Sequence, residues 1–479
     1  MKKAVLAIAV ILLAGLTGGC AQKTGVTGDA PPTLVWYLPG DKQADVATVL
    51  DAANTMLEER VGARLDLQFI DSGSFTQRMQ LNMASSNAFD LCFTGYINPY
   101  AQAVQRGGLA QLDPYLKDAP ALVDSVPDYA WEAAKVHGKI YAVPNVQFFA
   151  WGVHAYTFKD LADKYGLDPA RIKTVYDLEP YLEQLKTNEP QMFPARFEML
   201  EDALNAEVYK QLFSVGLVAL FPEDGGVDFR VKSQTDYYKK TIADIRKWYE
   251  KGWLRPDIAS VTDDSQDLNM GKYGVWFHNL KPSGLSSDSE KYGREVIAMQ
   301  LQEYKLESTT PLSTMIGVGN KSKNPVLAVK TIELLNTDPA FYNLIAKGVE
   351  GKHYTTLDNG HIRYTEDSGY APKADWKFGN QFNALLLEDM EDDVWEVSQR
   401  INDEARKTPL IGFSFDITPV QSEISQCQSV ISEYKSALSG SIAPSEYYAA
   451  FESKMKEAGV ETVRDEVERQ YKEWAEGVN

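Results

Sequence analysis

The first hundred residues switch repeatedly between two hydrophobic periods. Thr33-Leu-Val-Trp-Tyr-Leu38 is a short β-type run that ends at Pro39-Gly40. Val46, Val49, Leu50, Ala53, Met56, Leu57 and Val61 then recur at helical spacing. Between Ala63 and Ile70, Leu65, Leu67 and Phe69 alternate with Arg64, Asp66 and Gln68, the period of a half-buried strand. Phe75, Met79 and Met83 mark a second helix, and Phe89 to Phe93 a third strand. Strands separated by a helix run in the same direction. The order β-α-β-α-β therefore predicts α/β architecture with a parallel, doubly wound sheet. Ligands of such sheets sit beyond the carboxyl ends of the strands. Those ends carry Trp36 to Pro39, Asp71 to Ser74, and Thr94 to Asn98.

The chain is 479 residues long, enough for more than one domain. Gly138 to Pro144 is an extended run closed by proline, a candidate crossing strand to a second lobe. We expect a first lobe over 33–142, a second over 143–312, a return to the first over 313–375, and a mostly helical C-terminal domain over 376–479. In the second lobe, helices are expected near 174–187 and 236–250, with strands at Tyr273–Phe277 and Glu295–Leu301 and a polar loop from Ser283 to Glu290. Ser313 to Gly319 is a second crossing candidate. Asn324-Pro325, Asp338-Pro339, Thr418-Pro419 and Ala443-Pro444 each open a helix, with proline in the first turn and Asn324 as an N-cap. The helix after Thr418 is expected to carry one apolar stripe from Val420 to Leu438.

The net charge of −19 repels phosphate backbones and argues against general nucleic-acid binding. Three cysteines and five histidines form no metal or redox signature, and no cofactor motif occurs. Asp263, Asp264 and Asp267 lack the glycine and closing glutamate of an EF-hand loop. Cys92 and Cys427 read as buried small hydrophobes. No nucleophile elbow is present, and a glycosidase pair cannot be singled out from 67 acidic residues.

Met1-Lys2-Lys3 precedes an apolar stretch, Ala4 to Leu16, too short for a stable bilayer span but suited to a signal peptide. The following Leu16-Thr17-Gly18-Gly19-Cys20 resembles a bacterial lipobox. The expectation is a signal peptide over 1–19, acyl (palmitate-type) lipidation of Cys20, and a flexible tether over 20–32. The protein would then be anchored to the outer face of the cell membrane without spanning it.

Several motifs together resemble one family. Leu81-Asn-Met-Ala-Ser-Ser-Asn-Ala-Phe-Asp90, Gly107 to Asp113, Gly138 to Pro144, Trp248 to Gly252 with Asp257, Asn320 to Pro325, and Gly348 to Tyr354 follow in the order found in extracellular solute-binding proteins of ABC importers, sugar-binding type. Trp376 to Asn380, Gly412 to Asp416 and Gln470 to Trp474 resemble the LipO-like lipoprotein subfamily, whose C-terminal domain has no assigned role. The resemblance implies a periplasmic-binding-protein-like fold, two lobes around a hinged cleft. It implies no enzyme activity, and it implies capture of an oligosaccharide for ABC permease subunits by a monomer. A surface glycoside hydrolase and a peptide-binding protein stand as alternatives.

Sugar recognition needs flat apolar faces beside hydrogen-bonding groups. The candidates at strand ends and after the first crossing are Trp36, Asp71, Tyr96, Asn98, Asn145, Trp151, Trp276 and His278. Core packing competes for each aromatic, and a turn-stabilising role competes for Asp71. Trp376 and Asn380 read as pinning the C-terminal domain rather than reaching the cleft.

Overall fold

Three apolar β-type segments pair in parallel because a helix returns the chain between them. They are β1 (Thr33–Pro39), β2 (Arg64–Ile70) and β3 (Leu91–Gly95), with Trp36 level with both Leu67 and Leu91. The computed structural model describes residues 30–477 apart from 86–88, 214, 224 and 262. Helix α1 (Val46–Arg60) buries Val49, Ala53 and Leu57, and α2 (Ser72–Ala84) buries Phe75, Met79 and Met83. The sheet order is β2-β1-β3, followed by Thr314–Val318 and Ala142–Pro144, each antiparallel to its neighbour. The two runs expected as crossings are thus edge-side strands of this first lobe. The crossings themselves are the segments beside them, 145–152 and 301–313, the second including a two-residue strand, Lys305–Leu306, paired with Arg406–Lys407.

The second lobe holds a four-stranded sheet in the order Val296–Gln300, Val153–Phe158, Tyr273–Asn279, Phe193–Ala195. A separate antiparallel sheet, Lys210–Phe213, Leu217–Leu220 and Asp228–Val231, was not legible in the sequence pattern. Gly284–Tyr292 is a helix where a polar loop is expected, because Leu285 and Tyr292 pack on the lobe-two core. Asp264 is engaged by Arg196 and Tyr273, and Asp267 by Arg255 and Lys272, so these carboxylates are occupied within the fold.

The helices at Pro325–Thr337, Pro339–Lys347 and Pro444–Glu457 begin at their prolines. Asp338 caps the second through the Phe341 amide (3.0 Å), but the Asn324 side chain makes no cap bond to the first. The stripe expected to reach Leu438 breaks after Gln421–Glu433, and Gly440 takes a left-handed turn at φ 90°.

The expected boundary at 376 does not coincide with a change of core. Phe378, Ala384 and Ala405 join the lobe-one core, whereas Leu410, Phe413, Ile424, Cys427 and Val463 join that of lobe two. The chain therefore crosses between lobes a third time, near 402–410. The crossings are laced together. Asn402 Oδ1 accepts from the Phe149 amide (2.8 Å) and the Ala150 amide (3.0 Å), and its Nδ2 donates to the Gln147 carbonyl (2.8 Å). Arg406 and Thr408 amides bond the Tyr304 and Leu306 carbonyls of the second crossing.

The signal peptide, Cys20 and most of the tether lie outside the described residues. Among the described residues, no helix is long and apolar enough to cross a membrane. Cys92 and Cys427 are free and buried in different cores.

Candidate functional site

The short turn Asp375–Lys377 lies over the carboxyl ends of the parallel strands. Lys377 Nζ donates to the Pro39 carbonyl at the end of β1 (2.8 Å). The Trp376 ring packs edge-on against Phe93 (centroids 5.9 Å) and beside Tyr96 (5.8 Å), at the end of β3. Its carbonyl accepts from Asn145 Nδ2 (3.1 Å). Held from three sides, the half-buried indole lines a cleft of about 860 Å³ between lobe one and residues 281–291 of lobe two.

Two polar atoms beside it are buried and have no partner: Asp375 Oδ1 and the Tyr364 hydroxyl. Asp375 is fixed through its other oxygen, which accepts from the buried Lys347 Nζ (2.8 Å). Tyr364 comes from a hairpin of Tyr354–Thr356 with Ile362–Tyr364. Burial and the Asp375 charge push its hydroxyl well above the ordinary tyrosine value, so it stays a donor. Buried polar groups are nearly always satisfied in folded proteins. Both atoms are closed off from solvent here, so a hydroxyl-bearing ring laid on the aromatic face would pair with them once the cleft wall shifts to uncover them.

The opposite wall is formed by Lys281, Ser283, Gly284 and Lys291. His278 lies just ahead of it in the chain, exposed at the end of strand Tyr273–Asn279 with its Nδ1 2.9 Å from the Asn279 carbonyl oxygen. Lys281 reaches solvent within the cleft, yet protein surrounds it, and that desolvation lowers its amine from the usual value. Burial raises the Asp288 carboxyl, with His278 and Lys291 opposing the shift.

The eight sequence candidates separate sharply. Tyr96 is 60% exposed and packs on Trp376. His278 and Asp71 are exposed, although Asp71 also caps α2 through the Ser74 amide (3.2 Å). Trp151 is half-buried under Lys305 Nζ (4.8 Å from the ring), where the first two crossings pair. Trp36 and Trp276 do not reach the cleft. Trp36 is fully buried against Phe378, and Trp276 stacks on Tyr156 in the lobe-two core. Asn98 is buried with Nδ2 on the Phe93 carbonyl, and Asn145 is buried holding Trp376. Both asparagines act through positioning. Trp376, expected as a pin for the C-terminal domain, instead faces the cleft. Tyr364, Asp375 and Lys347 were missed altogether. They lie in a two-strand hairpin, a single-turn helix and a helix end, where no periodicity marks orientation.

Comparison with known proteins places these features in a family. Residues 40–340 match the model for bacterial extracellular solute-binding proteins, and residues 409–476 match a domain of unknown function, DUF3502. A carbohydrate ABC transporter substrate-binding protein of Streptococcus pneumoniae serotype 4 is 27% identical over 480 residues, covering 97% of this chain and 96% of that protein. The crystal structure of the N-glycan transport solute-binding protein NgtS from S. pneumoniae superposes with a TM-score of 0.81 at 25% identity, over 94% of this chain and all of that one. NgtS in complex with Man1GlcNAc gives 0.71 at 25% identity, over 92% and 99%. An HMO-binding, ABC-transporter-associated solute-binding protein of Bifidobacterium longum infantis shares the fold, with a TM-score of 0.67 at 17% identity over 92% and 99%.

Proposed function

The chain belongs to the bacterial extracellular solute-binding proteins, and from that premise we propose that it captures an oligosaccharide in the cleft at Trp376 and presents it to an ABC permease. One observation carries the site: the Trp376 face stands beside the unpartnered Asp375 Oδ1 and Tyr364 hydroxyl. A pyranose laid on the indole would offer one hydroxyl to the carboxylate and accept from the phenol. Tyr96 would extend the apolar platform, and His278 would contribute from the far lobe. The carbohydrate-binding relatives support this ligand class.

Capture works as a closure about the three crossings. A ligand touching both walls stabilises the closed state by its differential affinity for it. A permease can then read that state. Lipidation of Cys20 would keep a monomer at the outer face of the membrane, close to its permease. No hydrolytic role is assigned, since Asp375 is held by Lys347 and Glu388 by Arg363, positioned for binding rather than proton transfer.

The test is a titration of residues 21–479 with a panel of oligosaccharides, with analysis of the recovered sugar. Saturable binding with intact sugar, weakened about tenfold by Tyr364→Phe, is expected, since one hydrogen bond in a dry site is lost. Cleaved sugar would replace this reading with a hydrolase.

A further inference from the structure

The protein as a whole has 48 basic and 67 acidic residues, yet the cleft has the opposite balance. Among its lining charges, Lys347 is paired with Asp375 and Arg363 with Glu388. That leaves Lys281, Lys291 and Lys373 against Asp389. Among the described residues, none of these three lysines has a carboxylate within ion-pair distance. They stand on both walls, Lys281 and Lys291 on lobe two and Lys373 on lobe one. A further carboxylate, Asp288, stands near Lys291; burial raises it above the ordinary value, and His278 and Lys291 oppose that shift. Behind the indole, Lys377 is 4% exposed, bonds among the described residues only to the Pro39 carbonyl, and keeps Nζ 5.7 Å from the Trp376 ring centroid.

Lys291 and Lys373 are exposed, whereas Lys281 is crowded by protein that desolvates its amine, and keeping it charged there without a counter-charge is costly. A surface this acidic has carboxylates to spare for neutralising them. Their concentration at the one cleft that carries the indole platform, and on both of its walls, is a positive field with no internal partner.

We propose that the cleft is specific for an anionic oligosaccharide, one bearing carboxylate or sulfate groups, which Lys281 and Lys291 of lobe two and Lys373 of lobe one clamp across the closing lobes. This inference rests on the binding role proposed for the cleft and sharpens it to a ligand class. The neutral part of each sugar lies on Trp376, and its charged group bridges the walls. Charge on the ligand thus contributes to closure as well as to capture, because only the closed state brings both lysine walls to one anion.

The experiment pairs acidic sugars with neutral twins: tetragalacturonate with its methyl ester, and a κ-carrageenan tetrasaccharide, which carries sulfate but no carboxylate, with its desulfated form. Calorimetric titration is run at low and high salt on the wild type, on Trp376→Ala, and on a Lys281→Met/Lys373→Met double variant whose melting temperature certifies its fold. The expected result is binding of an acidic member that weakens as salt rises. Loss of its charge, or of the two lysines, costs about tenfold or more. Preference for galacturonate identifies carboxylate as the anion, and a loss confined to desulfation identifies sulfate. Equal binding of charged and neutral twins, full affinity in the double variant, or no response to any acidic sugar overturns the proposal. Neutral sugars bound in a Trp376-dependent manner would leave the cleft reading standing while refuting the charge assignment. Binding that ignores Trp376 would refute both.

Discussion

Replacing Asn402 with alanine tests the hinge most sharply. Its side chain is 4% exposed and makes three hydrogen bonds to the first crossing: it accepts from the Phe149 and Ala150 amides and donates to the Gln147 carbonyl. Alanine leaves two buried N–H groups and one carbonyl without these partners. An orphaned buried donor costs roughly 1–3 kcal/mol. The truncated amide leaves a small gap that water can partly fill. The summed loss is about 2–5 kcal/mol, a large share of the roughly 5–15 kcal/mol by which folded domains are stable. Urea unfolding followed by tryptophan fluorescence reads the total. Hydrogen exchange of the Phe149 and Ala150 amides reads its location, and both should exchange markedly faster in the variant. A stability change under about 1 kcal/mol together with unaltered exchange at those two amides would refute the idea that the third crossing secures the first.

Four further outcomes follow from individual contacts. Lys377→Met should stabilise the protein by about 1–3 kcal/mol at neutral pH, because burial lowers the folded amine from 10.5 to about 8. A depressed lysine opposes folding fully below pH 8, and its penalty fades as pH rises toward 10.5, so the advantage of methionine in thermal melts should shrink across that window. Gly95→Ala should destabilise by a few kcal/mol in the same melts, since Gly95 has φ 148° and an added Cβ would stand 2.0 Å from the Ser313 carbonyl oxygen. Lys347→Met should cost about 3–5 kcal/mol by leaving Asp375 buried without its cation, a loss relieved when acid protonates the carboxylate. Trp36→Phe should lower stability without changing sugar affinity, as calorimetry would show, because Trp36 is wholly within the lobe-one core.

The parallel order of β1, β2 and β3 was legible because a long helix of clear period separates each strand from the next. The same period also held the answer for Trp36. Leu34, Trp36 and Leu38 share one face of β1, and all three are fully buried. Reading Trp36 as a residue after the strand, when the strand runs to Pro39, assigned it to the cleft. Trp276 was ambiguous for a different reason: its strand is covered on both faces, so alternation carries no signal there. The short antiparallel sheet around Leu217–Leu220 was hidden by strands of four residues, too brief to establish a period. Trp376 was visible as a residue but not as a site. Its orientation is set by Phe93, Tyr96 and Asn145, which are more than two hundred residues away in sequence. The division of the C-terminal region between two cores has the same character, since helical stripes show that a face is buried but not against which lobe.

A crystal structure of the protein with a bound oligosaccharide decides whether the sugar lies on Trp376. A pyranose ring is expected against the indole, with hydroxyl oxygens within hydrogen-bonding distance of Asp375 Oδ1 and the Tyr364 hydroxyl. A sugar seated instead in the groove of about 420 Å³ between His137 and Trp474, with those two atoms still unpartnered, would contradict it.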